Sequence, residues 1–130
     1  MNLESPKVTV AKSSEYIFNE LSDVKNFEKL MPENTAKFEV IDKNCFEFGL
    51  KGMPEIKLVK KESVPTSKIV LGAASSKLPF TLTANINETA TESTDIQLIF
   101  EGEFNAMMAM MIKAPITKFI ETLAQNMVKL

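Results

Sequence analysis

Few side chains in this chain are of the types that make and break covalent bonds. Its 130 residues include no histidine and only one cysteine, Cys45, so neither a Ser/His nor a Cys/His pair can form. Glu101 and Glu103 lie two residues apart on a predicted strand, which would place two carboxylates on one face for acid–base catalysis. Polar residues share that face and apolar residues alternate with them, so we predict that the face is outward and solvated.

The remaining polar candidates do not form a recognisable catalytic or metal site. Tyr16 lies on a predicted amphipathic helix, and we interpret it as a packing residue with its hydroxyl at the rim. Nothing near Cys45 in sequence would lower the pKa of its thiol, which we expect to be inert. Gly49 and Gly52 lack the spacing and the helix start of a phosphate-binding loop, so we predict that they are turn residues. The sequence therefore predicts no catalytic residue, no metal site and no cofactor.

Composition excludes several classes of partner. All fifteen basic residues are lysine, and the formal net charge is -2. Because arginine is the usual bidentate ligand of phosphates and guanine, we predict no nucleic-acid binding. One cysteine cannot form an intramolecular disulfide, and residues 1–6 lack a signal-peptide pattern, so we expect a cytoplasmic protein. The longest apolar run, residues 106–112, is far shorter than the roughly 20 residues that cross a bilayer, so we predict no stable membrane insertion.

The most distinctive apolar feature is a methionine cluster near the end of the chain. Four of the eight methionines, Met107, Met108, Met110 and Met111, fall within five residues. Methionine side chains are unbranched and polarizable, so they repack around apolar partners of different shapes. Such a surface suits a lipophilic ligand better than a catalytic reaction.

The elements that would position these residues follow from the hydrophobic periodicity. A strand at residues 7–10 precedes two short helices, which we expect to be capped by Ser13 and Asp23. From residue 36 to residue 104 the period is two, which predicts six strands joined by turns. A long helix then continues to Leu130, and the whole chain is predicted to form a single domain.

The final helix is predicted to cover the sheet with an apolar stripe. At about 100° per residue, the stripe consists of Met108, Ile112, Ile116, Phe119, Leu123, Met127 and Leu130. Met107 and Met110 lie off the stripe, and Pro115 is expected to bend the helix because it cannot donate to the carbonyl of Met111. A bent helix over a curved sheet would leave space beneath it. The alternative interpretation is that the methionines fill an irregular core or form a dimer contact.

Residues 21–32 contain the pattern Ser-Asp-aliphatic-x-x-aromatic-x-x-aliphatic-x-Pro. With residues 4–10, the order of elements and the long final helix, this pattern resembles the START-like superfamily, also called SRPBCC, which includes lipid-transfer START domains and polyketide cyclases. The resemblance implies an α+β helix-grip fold, in which a seven-stranded antiparallel sheet wraps around the long C-terminal helix. Two short helices after the first strand would support the C-terminal half of that helix. Members of the superfamily commonly hold hydrophobic ligands between sheet and helix.

We therefore predict non-catalytic binding or transport of a small lipophilic ligand between the sheet and the final helix. The predicted sheet wall consists of Phe48, Leu82, Leu98 and Phe100, and the predicted lid consists of Met108, Met111, Ile112 and Phe119. One alternative is a cyclase- or hydratase-type enzyme that acts on a hydrophobic substrate through a carboxylate or Tyr16. The other alternative is a protein-interaction module in which Met107 and Met110 form a docking patch. We expect a monomer or a homodimer.

Overall fold

The computed structural model describes residues 1–51, 55–74 and 80–130, and it confirms the α+β helix-grip architecture. The strands are β1 Asn2–Glu4, β2 Val8–Val10, β3 Thr35–Asp42, β4 Cys45–Leu50, β5 Ile56–Val64, β6 Lys68–Ala73, β7 Phe80–Ala90 and β8 Ser93–Gly102. Helix α1 spans Ser14–Ser22, a 3₁₀ helix spans Val24–Leu30, and helix α2 spans Ala106–Met127. Among the described residues, no helix is both long enough and apolar enough to span a membrane.

The strands form one antiparallel sheet in the order β1-β8-β7-β6-β5-β4-β3, and β2 also pairs with β8. The sheet has eight strands where seven were predicted, because β1 and β2 are two pieces of one interrupted edge along β8. The interruption lies at Pro6, which has no amide hydrogen for the ladder. Beside it, the backbone amide of Ser5 donates to the Leu98 carbonyl, and the Leu98 amide donates to the Ser5 hydroxyl at 2.9 Å. The Ser5 side chain therefore replaces a backbone acceptor where the strand breaks.

Both predicted helix caps are confirmed. The Ser13 hydroxyl accepts from the amide of Tyr16 at 3.2 Å, and the Asp23 carboxylate accepts from the amide of Lys25. The second helix ends at Leu30, two residues before Pro32. The 3₁₀ helix lies against α2 near its C-terminal end, where the Asn126 side-chain amide donates to the Leu30 carbonyl at 2.8 Å, and α1 packs on β6, β7 and the 3₁₀ helix.

The sheet is apolar on its inner face, and this period-two pattern is the basis of the core. Phe46 and Phe48 on β4, Leu82 on β7 and Leu98 on β8 are all at most 4% exposed. One prediction on β4 is wrong: Gly49 is not a turn residue but lies within the strand, paired with Lys37. The strand continues through Gly49 because the alternation that begins at Phe46 extends to the buried Leu50. Gly52, also predicted to be in a turn, lies outside the described residues.

Candidate functional site

Helix α2 consists of two halves that differ sharply in burial, and Pro115 lies between them. In the C-terminal half the buried residues are Ile116, Phe119, Ile120, Leu123, Ala124 and Met127, each at most 4% exposed. In the N-terminal half, Met107, Met110 and Met111 are 74%, 82% and 67% exposed. Met108, Ala109 and Ile112 are half-buried; Met108 and Ile112 lie on the predicted inner stripe, and Ile112 packs against the buried core. The bend expected at Pro115 stays a prediction.

The predicted site residues fall into three groups. Phe48, Leu82, Leu98, Phe100 and Phe119 are fully buried core residues, with at most 4% exposed. Met108 and Ile112 are half-buried at the edge of the core. Met111 lies mainly in solvent beside Met107 and Met110, so the structure groups it with the methionines that the helical pattern placed off the stripe.

The centre of the helix–sheet interface is closely packed. Among the described residues there, the residual void is about 10 Å³, and it is lined by Phe27, Ile69, Leu71, Leu82, Ala84, Leu98 and Leu123. Such a volume is about the space of one water molecule, whereas small-molecule sites occupy roughly 300–1,000 Å³. The space expected beneath the middle of α2 is therefore absent from this part of the described structure.

A row of stacked aromatic rings explains this close packing. Phe27 of the 3₁₀ helix stacks on Phe46 with ring centroids 5.3 Å apart, and Phe46 stacks on Phe48 at 6.0 Å. Phe48 in turn stacks on Phe119 of α2 at 4.9 Å. Because these large rings come from both layers, they fill the space between the C-terminal half of α2 and the sheet.

A second aromatic row lies at the end of the sheet where β7 begins, β8 ends and α2 begins. The ring centroids of Phe80 and Phe100 are 5.1 Å apart, and those of Phe100 and Phe104 are 6.1 Å apart. Unlike Phe100, both Phe80 and Phe104 are only half-buried. We call Phe80, Phe100, Phe104, Met108 and Ile112 the mouth.

Gly102 allows the rings of the mouth to come together. A Cβ atom at this position would lie 2.6 Å from Cε2 of Phe104 and 2.9 Å from Cβ of Phe80, distances that real side chains do not adopt. Phe104 can therefore cover Gly102 only because that residue has no side chain. Phe80 and Phe104 were not among the predicted site residues. Phe104 had a signal in the sequence, because it alternates with Phe100 and lies just before the methionine cluster. Phe80 had only its alternation with Leu82 and Ala84.

Among the described residues, no carboxylate and no ammonium group is buried in the interior. The buried polar residues are Ser5 and Thr94, and both are bonded to backbone groups; the Thr94 hydroxyl donates to the Lys12 carbonyl at 2.7 Å. Lys60 is half-buried opposite Leu71, but its ammonium donates to the Ser22 carbonyl at the end of α1. These groups therefore complete hydrogen bonds of the fold.

The other chemical candidates lie outside the core or are inert there. Glu101 and Glu103 are exposed, as predicted. Tyr16 was predicted to be a packing residue, but it is 39% exposed on the surface of α1, with the Lys12 ammonium 5.2 Å from its ring centroid. Cys45 is buried, and this burial raises the pKa of its thiol, which makes the reactive thiolate rarer. Within the described ranges, no group of three or more metal-ligating side chains is assembled.

An ion cluster occupies the outer face of β3 and β4. The Lys37 ammonium donates to the Glu47 carboxylate at 2.6 Å and to the Glu55 carboxylate at 3.4 Å. The hydrogen bond to Glu47 raises the pKa of Lys37, and the same bond lowers the pKa of Glu47. Both side chains are partly in solvent, so this pair is a surface contact between neighbouring strands.

A wide groove of about 850 Å³ lies across β1, β8, β7 and β6. Asn2, Glu101, Thr81 and Gly72 line it, and they are successive cross-strand neighbours, so they share one face of the sheet. Residues next to them, such as Phe100, point into the core. Most of the groove is therefore on the outer face, but Phe80 and Gly102 also line it, so the groove reaches the mouth at this end of the sheet.

No protein-family model matches the sequence, and no curated protein matches it. Solved structures do match. Norcoclaurine synthase from Thalictrum flavum, in complex with dopamine and hydroxybenzaldehyde, matches with 14% identity and a TM-score of 0.74 over 99% of this chain and 84% of its own. A START superfamily protein from Mycobacterium smegmatis matches with 14% identity and a TM-score of 0.70 over 98% of this chain and 94% of its own.

The di-domain ARO/CYC protein BexL of the BE-7585A biosynthetic pathway is a further structural match. It has 10% identity and a TM-score of 0.67, over 97% of this chain and 46% of BexL. At such low identities these likenesses concern the course of the backbone and not the chemistry of the site. The chain thus has the helix-grip fold of START-like, or SRPBCC, proteins, as its sequence predicted.

Proposed function

We propose that this protein binds a small hydrophobic molecule, without catalysis, between the inner face of the sheet and the N-terminal half of α2. The observation that carries this proposal is the mouth, where apolar side chains that belong to the core are left half-buried. Phe80, Phe104 and Ile112 pack against the buried cluster and are still accessible. A ligand there would remove apolar surface from water without unpairing any polar group.

The N-terminal half of α2 can make room for a ligand more easily than the C-terminal half. Its inward-facing residue Met108 is flexible, whereas Phe119 is held in a ring stack with Phe48. Pro115 also leaves the Met111 carbonyl without its usual helical donor. A ligand would enter at the mouth, displace Met108 and Ile112, and meet Phe100 and then Leu82, which is paired with Phe100 across the strands.

The remaining predicted residues surround this path. Phe48, Leu98 and Phe119 form the closed floor that limits how deep a ligand extends, since all three are buried, Leu98 lines the filled centre, and Phe48 stacks on Phe119. Met111 is 67% exposed and would contact a ligand only at the outer edge of the mouth. The ligand is therefore expected to be short, and because the contacts are apolar, several chemical classes should bind.

The structural neighbours support a ligand in this architecture. Norcoclaurine synthase holds dopamine and hydroxybenzaldehyde on the same fold. For this chain we propose binding without a reaction, because its described carboxylates and lysines are not buried and its buried hydroxyls are bonded to the backbone. An enzyme would need an ionisable group aimed at the ligand.

A thermal-shift screen tests the proposal. The panel would contain fatty acids, isoprenoids such as farnesol, and aromatic polyketides. A ligand present at 100 times its dissociation constant stabilises the native state by about 2.7 kcal/mol, so Tm should rise by several degrees. The absence of a shift across the whole panel would contradict the proposal.

Two variants assign the site. Met108→Asp places a charge on the inward-facing side of the mouth and should abolish the shift. Met110→Asp makes the same change two residues away, at a side chain that is 82% exposed, and this variant should keep the ligand-induced thermal shift. Urea unfolding of both variants checks that each is folded. If both variants lose the thermal shift equally, or if neither loses it, the mouth is rejected as the site.

A further inference from the structure

The N-terminal half of α2 is apolar on its outward side as well as its inward side. Met107, Met110, Met111 and Ala114 recur at intervals of three and four residues, so they form a second helical stripe, which we call the methionine face. All four residues are exposed. A helix that is apolar all round is normally covered on all sides, so this face lacks a partner within the described structure.

Charge beside the methionine face is positive. From Ala106 to Lys118, α2 carries Lys113 and Lys118 and no acidic residue, and the first acidic residue of the helix is Glu121, one turn after Lys118 on the same side. Lys51, at the end of β4, lines the same small crevice as Lys118 and Pro115. The nearest acidic residue before the helix is Glu103, which lies on the side of the outer groove. An apolar stripe flanked by lysines is complementary to an anionic, apolar surface.

We propose that the methionine face docks this protein reversibly on anionic lipid bilayers. The methionines would enter the boundary between headgroups and acyl chains, and Lys113, Lys118 and Lys51 would contact the anionic headgroups. A bilayer fits because the exposed methionines lie on the outward, convex side of a helix and lysines lie beside them. Docking does not depend on the proposed ligand site, although it would bring the mouth close to membranes, where lipophilic molecules accumulate.

Vesicle co-sedimentation tests this proposal with the whole chain and no added ligand. The protein should pellet with vesicles of equal parts phosphatidylglycerol and phosphatidylcholine, and not with pure phosphatidylcholine. Binding should weaken as salt increases, because the lysine contacts are screened. Lys113→Gln should lower the partition coefficient by about fivefold, and Lys118→Gln by a similar factor. Lys43→Gln, in the turn between β3 and β4, is the matched control and should change it little.

Variants of the methionines complete the test. The double variant Met107→Asp with Met110→Asp should lose vesicle binding. Val128→Asp is its control, because Val128 is a 48% exposed apolar residue just beyond the far end of α2. Wild-type protein that stays in the supernatant with anionic vesicles, or a double variant that pellets like wild type, overturns the proposal.

Two further measurements separate this proposal from other interpretations. If sedimentation velocity shows a wild-type dimer that Met110→Asp dissociates, and vesicles do not bind, the methionine face joins two copies of the chain and the proposal is wrong. Met108→Asp should still pellet with vesicles although it loses the thermal shift. Failure of docking and failure of ligand binding are therefore distinguishable.

Discussion

The two halves of α2 belong to one helix but have different physical roles. The half that follows Pro115 is at most 4% exposed along its inner stripe, stacks on the sheet through Phe119, and is bonded to the 3₁₀ helix through Asn126. The half that precedes Pro115 leaves three methionines in solvent and three apolar residues, Met108, Ala109 and Ile112, half-buried.

This difference shows how a small fold can provide both stability and a binding surface. Residues that are fully buried contribute stability, and their side chains cannot move without a large cost in free energy. Residues that are partly buried contribute less to folding and can rearrange around a ligand or a surface. We therefore expect substitutions in the two halves to separate stability from binding.

The largest expected effect is in the C-terminal half. Leu123 is fully buried, so Leu123→Ala should lower the free energy of unfolding by about 2–5 kcal/mol through lost burial and a new cavity. Met110→Ala, at an 82% exposed position, should change it by less than about 0.5 kcal/mol. Urea denaturation measures both. Similar losses in the two variants would contradict the division of α2.

A glycine substitution tests the mouth. Gly102→Ala should push Phe104 away from Phe80, lower the free energy of unfolding by about 1–3 kcal/mol, and weaken ligand binding. Gly49→Ala is the control, because its Cβ would lie 3.4 Å from the nearest atom, Cγ of Glu55, which is an ordinary contact. Unchanged binding in Gly102→Ala would mean that the aromatic row is not part of the site.

A smaller effect is expected where the C-terminal half joins the 3₁₀ helix. Asn126→Ala removes the hydrogen bond to the Leu30 carbonyl, which should cost about 1 kcal/mol. Ligand binding, measured by the same thermal-shift panel, should be unchanged because Asn126 lies near the far end of α2 from the mouth. A variant with wild-type stability and altered binding would reverse the assigned roles of the two halves.

The smallest effect is a pH dependence that should appear in stability but not in binding. The pKa of Glu47 is lowered in the folded protein by its bond to Lys37, so this pair stabilises the fold above the ordinary carboxyl pKa of 4.5. The stabilisation disappears as pH falls through the lowered folded-state pKa. The stability difference between wild type and Glu47→Gln should therefore shrink at acid pH. The affinity for farnesol, which is uncharged, should not change as Glu47 is protonated, since the mouth residues do not ionise.

Periodicity predicted most of the fold because burial in this protein follows secondary structure closely. The inward positions of β7 and β8 alternate in the sequence and are buried in the structure. The break at Pro6 could not be predicted from the short strand pattern alone, because the bond between the Ser5 hydroxyl and the Leu98 amide links positions 93 residues apart. Gly49 was wrongly predicted to be in a turn because local composition near it suggests a loop.

The candidate site was harder to predict than the fold. Met108 and Met111 are three residues apart on a helix, so the pattern placed both near the core stripe, and only packing against the sheet fixed which one is inward. The filled centre results from the rings of Phe27, Phe46, Phe48 and Phe119, which come from three separate segments of sequence: the 3₁₀ helix, β4 and α2. Such a long-range stack has no local signal.

Amide hydrogen exchange along α2 tests the central claim most directly. The exchange rates of the α2 amides would be measured without ligand and again with farnesol, or with another member of the panel that raises Tm. The account predicts fast exchange at residues 110–114 in the free protein, slower exchange there with ligand, and slow exchange at residues 117–127 in both states. Equal protection of the two halves in the free protein, or protection by ligand confined to residues 117–127, would contradict it.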